Sequence, residues 1–128
     1  MNDGPDLEAS ARAMIDANLY MVLGTADEAG RPWVSPVYFA PASYGEFLWV
    51  SRPEAQHSRN IAMREEISIV IFDSQVPINT GQARSVAHGG GAVTLEDVRS
   101  PAALRLYRAT ATDQYILDEH DERVPVSL

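Results

Sequence analysis

Trp49-Val-Ser-Arg-Pro-Glu-Ala-Gln-His-Ser-Arg-Asn60 is the stretch on which the fold turns. An apolar run (Phe47 to Val50) ends here, and two serines, two arginines and a histidine crowd around a proline. Proline is favoured in the first turn of a helix, so the segment predicts a strand running into a helix that starts at Pro53. Hydroxyls, guanidinium groups and free backbone N–H groups at a helix N-terminus are what a phosphate needs. An ordinary strand-to-helix turn capped by Ser51 reads the same residues without any ligand.

Working outward, residues 7–15 carry Leu7, Ala11, Met14 and Ile15 at helical spacing, with Asp6 as the cap. The period then changes. Residues 19–26 (Leu-Tyr-Met-Val-Leu-Gly-Thr-Ala) read as a buried strand and Asp27-Glu-Ala-Gly30 as a hairpin turn, Gly30 taking the positive-φ position. Residues 31–40 return as a second strand. Pro32 and Pro36 lie inside it, which makes it an edge strand or one bulged at Pro36. A turn over 41–45 precedes a third strand, 46–51. The helix from Pro53 carries Ile61 and Met63, and Glu-Glu-Ile-Ser-Ile-Val-Ile-Phe-Asp at 65–73 is the clearest strand of all. A loop follows at 76–81, then a weaker strand from Gln82 that Gly89-Gly-Gly91 interrupts. Ser100 and Pro101 open a single helical turn to Leu104, residues 107–117 alternate as one long strand, and 123–128 form a short last one. Strands of this length joined by turns, with few helices, predict a mainly β (α+β) fold, an antiparallel barrel or sandwich.

Composition removes several functions. The 128 residues are expected to form one domain, 1–128, and an apolar fraction of 45% argues against disorder. A net charge of −8 with no basic stripe disfavours nucleic acid. No window has the length of a membrane span, the polar start gives no sign of a signal peptide, and the chain lacks cysteine. A cytoplasmic protein is the expectation. All ten basic residues are arginine. A Schiff-base lysine and a phosphate-loop lysine are therefore excluded, and any anion must be held by arginine, histidine, hydroxyls or backbone N–H groups. His57, His88 and His120 are too scattered for a triad, and no pair of carboxylates has telling spacing, so no catalytic side chain is named and no metal site is expected.

The order of these elements resembles the pyridoxamine 5′-phosphate oxidase-related, flavin-binding split-barrel superfamily. The residues that carry the likeness are Arg31-Pro-Trp-Val-Ser-Pro-Val-Tyr-Phe39, the strand end Trp49-Val-Ser-Arg52, the helix start Pro53-Glu-Ala-Gln-His-Ser-Arg-Asn60, and Ile-Val-Ile-Phe-Asp73. It resumes at Leu106-Tyr-Arg-Ala-Thr110 and Tyr115-Ile-Leu-Asp118. The resemblance implies a six-stranded antiparallel split β-barrel with an N-terminal helix and a short helix after the third strand. It also implies a homodimer with FMN sites at its interface.

On that resemblance the backbone of Val34, Ser35, Pro36 and Val37 runs along the flavin ring and bonds its polar edge. Ser51, Arg52, His57 and Ser58 hold the phosphate, Asn60 supports the helix or the ribityl chain, and Trp49 and Val50 wall the ring. Gln82 and Tyr115 approach from the partner subunit. The implied activity is an FMN-dependent oxidoreductase acting on a small molecule. True pyridoxamine-phosphate oxidases carry a C-terminal Arg-x-His motif that Glu122-Arg-Val-Pro-Val126 does not match, and residues 87–105 form a shorter stretch than in the relatives. The chain is therefore not expected to be the vitamin B6 oxidase. F420 in a similar groove is an alternative cofactor, set back by its acidic tail and this chain's lack of lysine. A non-catalytic flavin-binding or haem-binding dimer is another, with His88 as the haem candidate, and a dimeric domain with an empty pocket is the last.

Overall fold

The computed structural model describes residues 6–75, 77, 104–118 and 120–128, together with the backbone of 85–96. The chain opens with helix α1 (Leu7–Ala17), whose first turn is tied by Asp6 accepting the Ala9 N–H at 3.0 Å. Ala11, Met14 and Ile15 are its buried stripe, laid against the sheet. Burial of Met14 and Ile15 contributes about 2 kcal/mol each, more than the helix's own propensity supplies.

Strands β1 (Tyr20–Ala26) and β2 (Pro32–Tyr38) form the expected hairpin, with Gly30 at φ 86°. Asp27 closes the turn by accepting from the Arg31 backbone N–H and side-chain Nε, both at 2.8 Å. Strand β3 (Ala40–Ser43) pairs with β4 (Glu46–Ser51), so the segment expected as a turn is a short strand with a bulge between Pro41 and Ser43. Helix α2 (Gln56–Met63) leads to β5 (Ile67–Phe72), and β6 (Ser85–Glu96) follows. The strand expected over 107–117 is two, β7 (Arg105–Thr110) and β8 (Asp113–Leu117), with β9 (Arg123–Pro125) paired to β8. Alternation runs across the break between them, which is why periodicity alone joins them. Most of the 76–81 loop, Gln82 and residues 100–103 of the expected helical turn lie outside the described residues.

The protein is thus mainly β with two helices among the described residues. Nine antiparallel strands among the described residues follow the order β2-β1-β5-β6-β7-β4-β3, with β8 added to β6 and β9 to β8, and these ladders do not close into a barrel. Beyond the six strands that the resemblance implies, the sequence already marks a short last strand, here β9; β3 and the division of residues 107–117 into β7 and β8 bring the count to nine. Gly89, Gly90 and Gly91 do not interrupt β6. Its register against β5 steps from Ser68↔Gly89 to Ile67↔Gly91, leaving Gly90 without an opposite residue, and from Ala92 onward the strand pairs with β7. A glycine bulge here is the corner at which one strand passes between two sheet segments.

Phe47, Ile15, Met21, Leu23, Ile71 and Ile116 are the largest fully buried side chains of the core. Helix α2 packs on β1 and β2. No helix among the described residues is long and apolar enough to cross a membrane.

Candidate anion and ring-edge site

Pro53 does not open the helix. Ala55 N–H donates to the Arg52 C=O at 3.1 Å, closing a turn with Pro53 at its second position, which proline's fixed φ also favours. Ala55 is extended and serves as the N-cap, contributing no side-chain bond, and α2 begins at Gln56. The first helical bond runs from Arg59 N–H to Ala55 C=O at 3.0 Å. This displacement puts Gln56, His57 and Ser58 in the first turn, where backbone N–H groups have no partner within the helix and the positive end of its dipole lies. Ser51 is not the cap. Its Oγ lies 2.7 Å from His57 Nε2, and the imidazole's tautomer sets which of them donates.

His57 is buried, and burial holds its imidazole below the ordinary histidine pKa, so it is neutral at pH 7. Ser58 is also buried, and its Oγ has no hydrogen-bond partner among the described residues. Arg52, in the turn before α2, is exposed, and its side chain has no hydrogen bond or ion pair among the described residues. The other arginines nearby are committed. Arg59 Nη2 donates to Gln56 Oε1 at 2.6 Å and Arg64 Nη2 to the Glu28 C=O at 3.1 Å. Asn60 is buried, accepting from Gln56 Nε2 at 2.7 Å and donating through Nδ2 to Thr25 Oγ1 at 3.0 Å.

The second half of the site is β2, which ends the strand order and so presents an edge. Of the two readings of Pro36, edge or bulge, the regular register Val22↔Pro36 selects the edge. Phe39 N–H donates to Leu19 C=O at 3.1 Å and Asp27 N–H to Arg31 C=O at 3.0 Å. With that register, odd-numbered positions between them bond to β1, and Pro32, Val34, Pro36 and Tyr38 turn their backbone groups outward. Both prolines thus stand where no ladder bond is lost. The free edge consists of carbonyls at all four positions and N–H donors at Val34 and Tyr38 alone. Ser35 and Val37 have their backbone groups committed to β1, and Ser35 Oγ accepts the Trp33 indole N–H at 3.1 Å.

Trp49 and Val50 point to opposite sides of β4. Trp49 is 2% exposed and stacks on Tyr107 with ring centroids 5.5 Å apart, whereas Val50 is 49% exposed. Tyr115 is half-buried on β8, with the Arg123 guanidinium 6.0 Å from its ring centre. His88 stands opposite Ile69 in the backbone register of β6 and β5. Thr25, which joins the site through Asn60, carries no signal in the sequence because its partner is set by packing of α2 on β1, whereas Gln56 meets Asn60 and Arg59 at the local i, i+4 and i, i+3 spacings of a helix.

One sheet face is left uncovered by the described residues. Tyr38 and Val34 on β2, Tyr20 on β1 and Phe72 on β5 share the side of the sheet away from the core, at exposures of 67%, 68%, 50% and 47%. The Tyr20 and Tyr38 rings lie 4.2 Å apart at its end.

The pyridoxamine 5′-phosphate oxidase family model matches residues 7–123. No curated protein matches the chain. Among solved structures, the heme storage protein HutZ from Vibrio cholerae is similar with a TM-score of 0.68 at 17% identity, over 82% of this chain and 89% of that one. A Clostridium acetobutylicum protein related to general stress protein 26, of the pyridoxinephosphate oxidase family, gives a TM-score of 0.74 at 10% identity over 97% of each chain. An F420 reductase gives 0.60 at 17% identity, over 75% of this chain and 88% of that one. At such identities these likenesses establish a common fold and leave the ligand to each protein. The family match runs from the first residues of α1 to the start of β9, and on it this chain belongs to the pyridoxamine 5′-phosphate oxidase family.

Proposed function

We propose that this protein binds FMN and acts as an FMN-dependent oxidoreductase on a small molecule, as a cytoplasmic homodimer, without being the vitamin B6 oxidase itself. Residues 1–128 are read as one split-barrel domain, its open ladders completed at the dimer interface. What supports the proposal is a cluster of anion-binding groups at the start of α2, a helix that packs on the β1–β2 pair whose outer strand has a free edge. Arg52 is uncommitted, Ser51 and His57 are already paired at 2.7 Å, and the first-turn N–H groups of α2 have no helical partner. The charge and donors suit a terminal phosphate. Val34's outward N–H and the carbonyls beside it suit a ring edge that has both acceptors and a donor.

Bound FMN would supply the redox chemistry, and the protein's part is binding, orientation and exclusion of water. Arg52, Ser51, His57 and Ser58 would hold the phosphate, with the backbone around Val34 along the ring. Asn60 supports the helix. Val50 is the wall available on the outer side of β4, and Gln82 and Tyr115 of the partner subunit are retained as approaching groups. The uncovered face around Tyr20, Tyr38 and Val34 is the surface assigned to the second copy. Such a patch favours association over exposure to water.

F420 ranks second as cofactor. Its acidic tail calls for several free cations, and Arg59 and Arg64 are already bonded to Gln56 and Glu28. The deciding experiment is a visible absorption spectrum of the purified protein, with mass spectrometry of what acid releases. Released FMN, or saturable binding of added FMN, supports the reading. A Soret band or released F420 replaces it, and a colourless protein that binds none of the three refutes it.

A further inference from the structure

We propose that Thr25 is a positioning residue for the phosphate end of the site, acting through Asn60; the inference rests on the flavin reading above. Thr25 is 6% exposed and Asn60 2%, and the bond between them at 3.0 Å is buried and joins residues 35 apart in sequence. Three side-chain bonds in series run from the surface inward: Arg59 to Gln56, Gln56 to Asn60, and Asn60 to Thr25. Gln56 and Asn60 stand one helical turn apart on the same face of α2. The chain therefore spans the first turn that presents His57 and Ser58, and its inner end is anchored in β1.

Thr25 is also opposite Trp33 in the β1–β2 register, beside Val34 on the free edge. The Thr25–Asn60 bond is thus a direct polar link between the helix bearing the anion site and the strand pair bearing the ring edge. Asn60's amide is satisfied at both ends. With the Thr25 hydroxyl gone, a buried N–H is left unpaired and α2 is released to shift relative to β1. A ligand that occupies both halves at once is sensitive to that spacing. FMN does so, and riboflavin, which lacks the phosphate, engages only the ring half. A residue that merely stabilises the fold would scale both ligands together.

The test compares FMN and riboflavin affinities of the full chain with Thr25→Val and Thr25→Ser. Thr25→Val keeps shape and removes the acceptor; it is expected to weaken FMN about tenfold and riboflavin by less than about twofold, and Thr25→Ser to restore FMN binding. Equal weakening of both ligands, unchanged FMN binding, or no rescue by serine overturns the proposal. Gln56→Met provides a second variant at a half-buried surface position and breaks the same chain at its outer and middle bonds. It must also weaken FMN selectively, and parallel loss of both ligands counts against the link. A wild-type protein that binds FMN no better than riboflavin overturns the flavin reading itself, which separates the two failures.

Discussion

Arg52→Ala is the substitution that most directly challenges the proposed site. The Arg52 side chain is exposed and has no partner among the described residues, so its loss should move folding stability by no more than about 0.5 kcal/mol. Its value must appear in binding or nowhere. A hydrogen bond to a charged group is worth about 1.5–3 kcal/mol, and exposure to solvent places this one at the lower end. About 1.5 kcal/mol corresponds to about a tenfold rise in the dissociation constant for FMN. Quenching of flavin fluorescence in a titration with the purified protein gives that constant, and riboflavin in parallel isolates the phosphate contribution. Arg52→Ala should bring FMN close to riboflavin while leaving riboflavin itself unchanged. Arg52→Lys should recover part of the loss, because a point charge attracts the phosphate without the guanidinium's two-pronged geometry. A folded Arg52→Ala protein whose FMN constant shifts less than about threefold would refute the phosphate assignment, since the loss would then fall well short of the roughly 1.5 kcal/mol that a charge-assisted contact is asked to supply.

Other expectations address the fold and the pair beside Arg52. The unfolded imidazole of His57 titrates near 6.5 and the folded one lower, so below about pH 6.5 the unfolded chain takes up the proton first. Stability should then fall with pH by at most about 1.4 kcal/mol per unit from this group, and urea titrations of His57→Gln should lack that component; identical profiles would remove it. Gly30 has open space where a Cβ would lie but a φ of 86°, so Gly30→Ala should cost about 1 kcal/mol through backbone strain alone and Gly30→Asn less. Equal denaturation midpoints for glycine and alanine would contradict that. Tyr20→Glu places a charge on the uncovered face and should convert a dimer to a monomer in sedimentation velocity at micromolar concentration. A wild-type monomer, or a variant dimer, would move the interface elsewhere.

Local signals in the sequence were sufficient wherever the decisive interaction is local. The Asp6 cap, the apolar stripe of α1, the Asp27–Gly30 turn and the bounds of β4 each depend on residues within a few positions of one another, and each forms as read. The absence of lysine likewise limits any anion site to arginine, histidine, hydroxyls and backbone N–H groups. Pro53 shows where such signals become ambiguous. Its fixed φ suits both the first turn of a helix and the second position of a β-turn, and only the Ala55-to-Arg52 bond distinguishes them.

The remainder belongs to tertiary structure because the partner lies far away in sequence. Gly89, Gly90 and Gly91 read as a break, since glycine weakens a strand on its own, yet they form a corner once β5 and β7 compete for the two ends of β6. Trp49 and Val50 are adjacent and both apolar; packing on Tyr107 decides which one is interior. Hydrogen-bond parity against β1 turns Val34's N–H outward and Ser35's inward, a property no residue carries alone. The residues that could meet a phosphate are therefore written in the chain. Asn60 joins their helix to the strand pair with the free edge by reaching Thr25, a contact made only when α2 lies on β1.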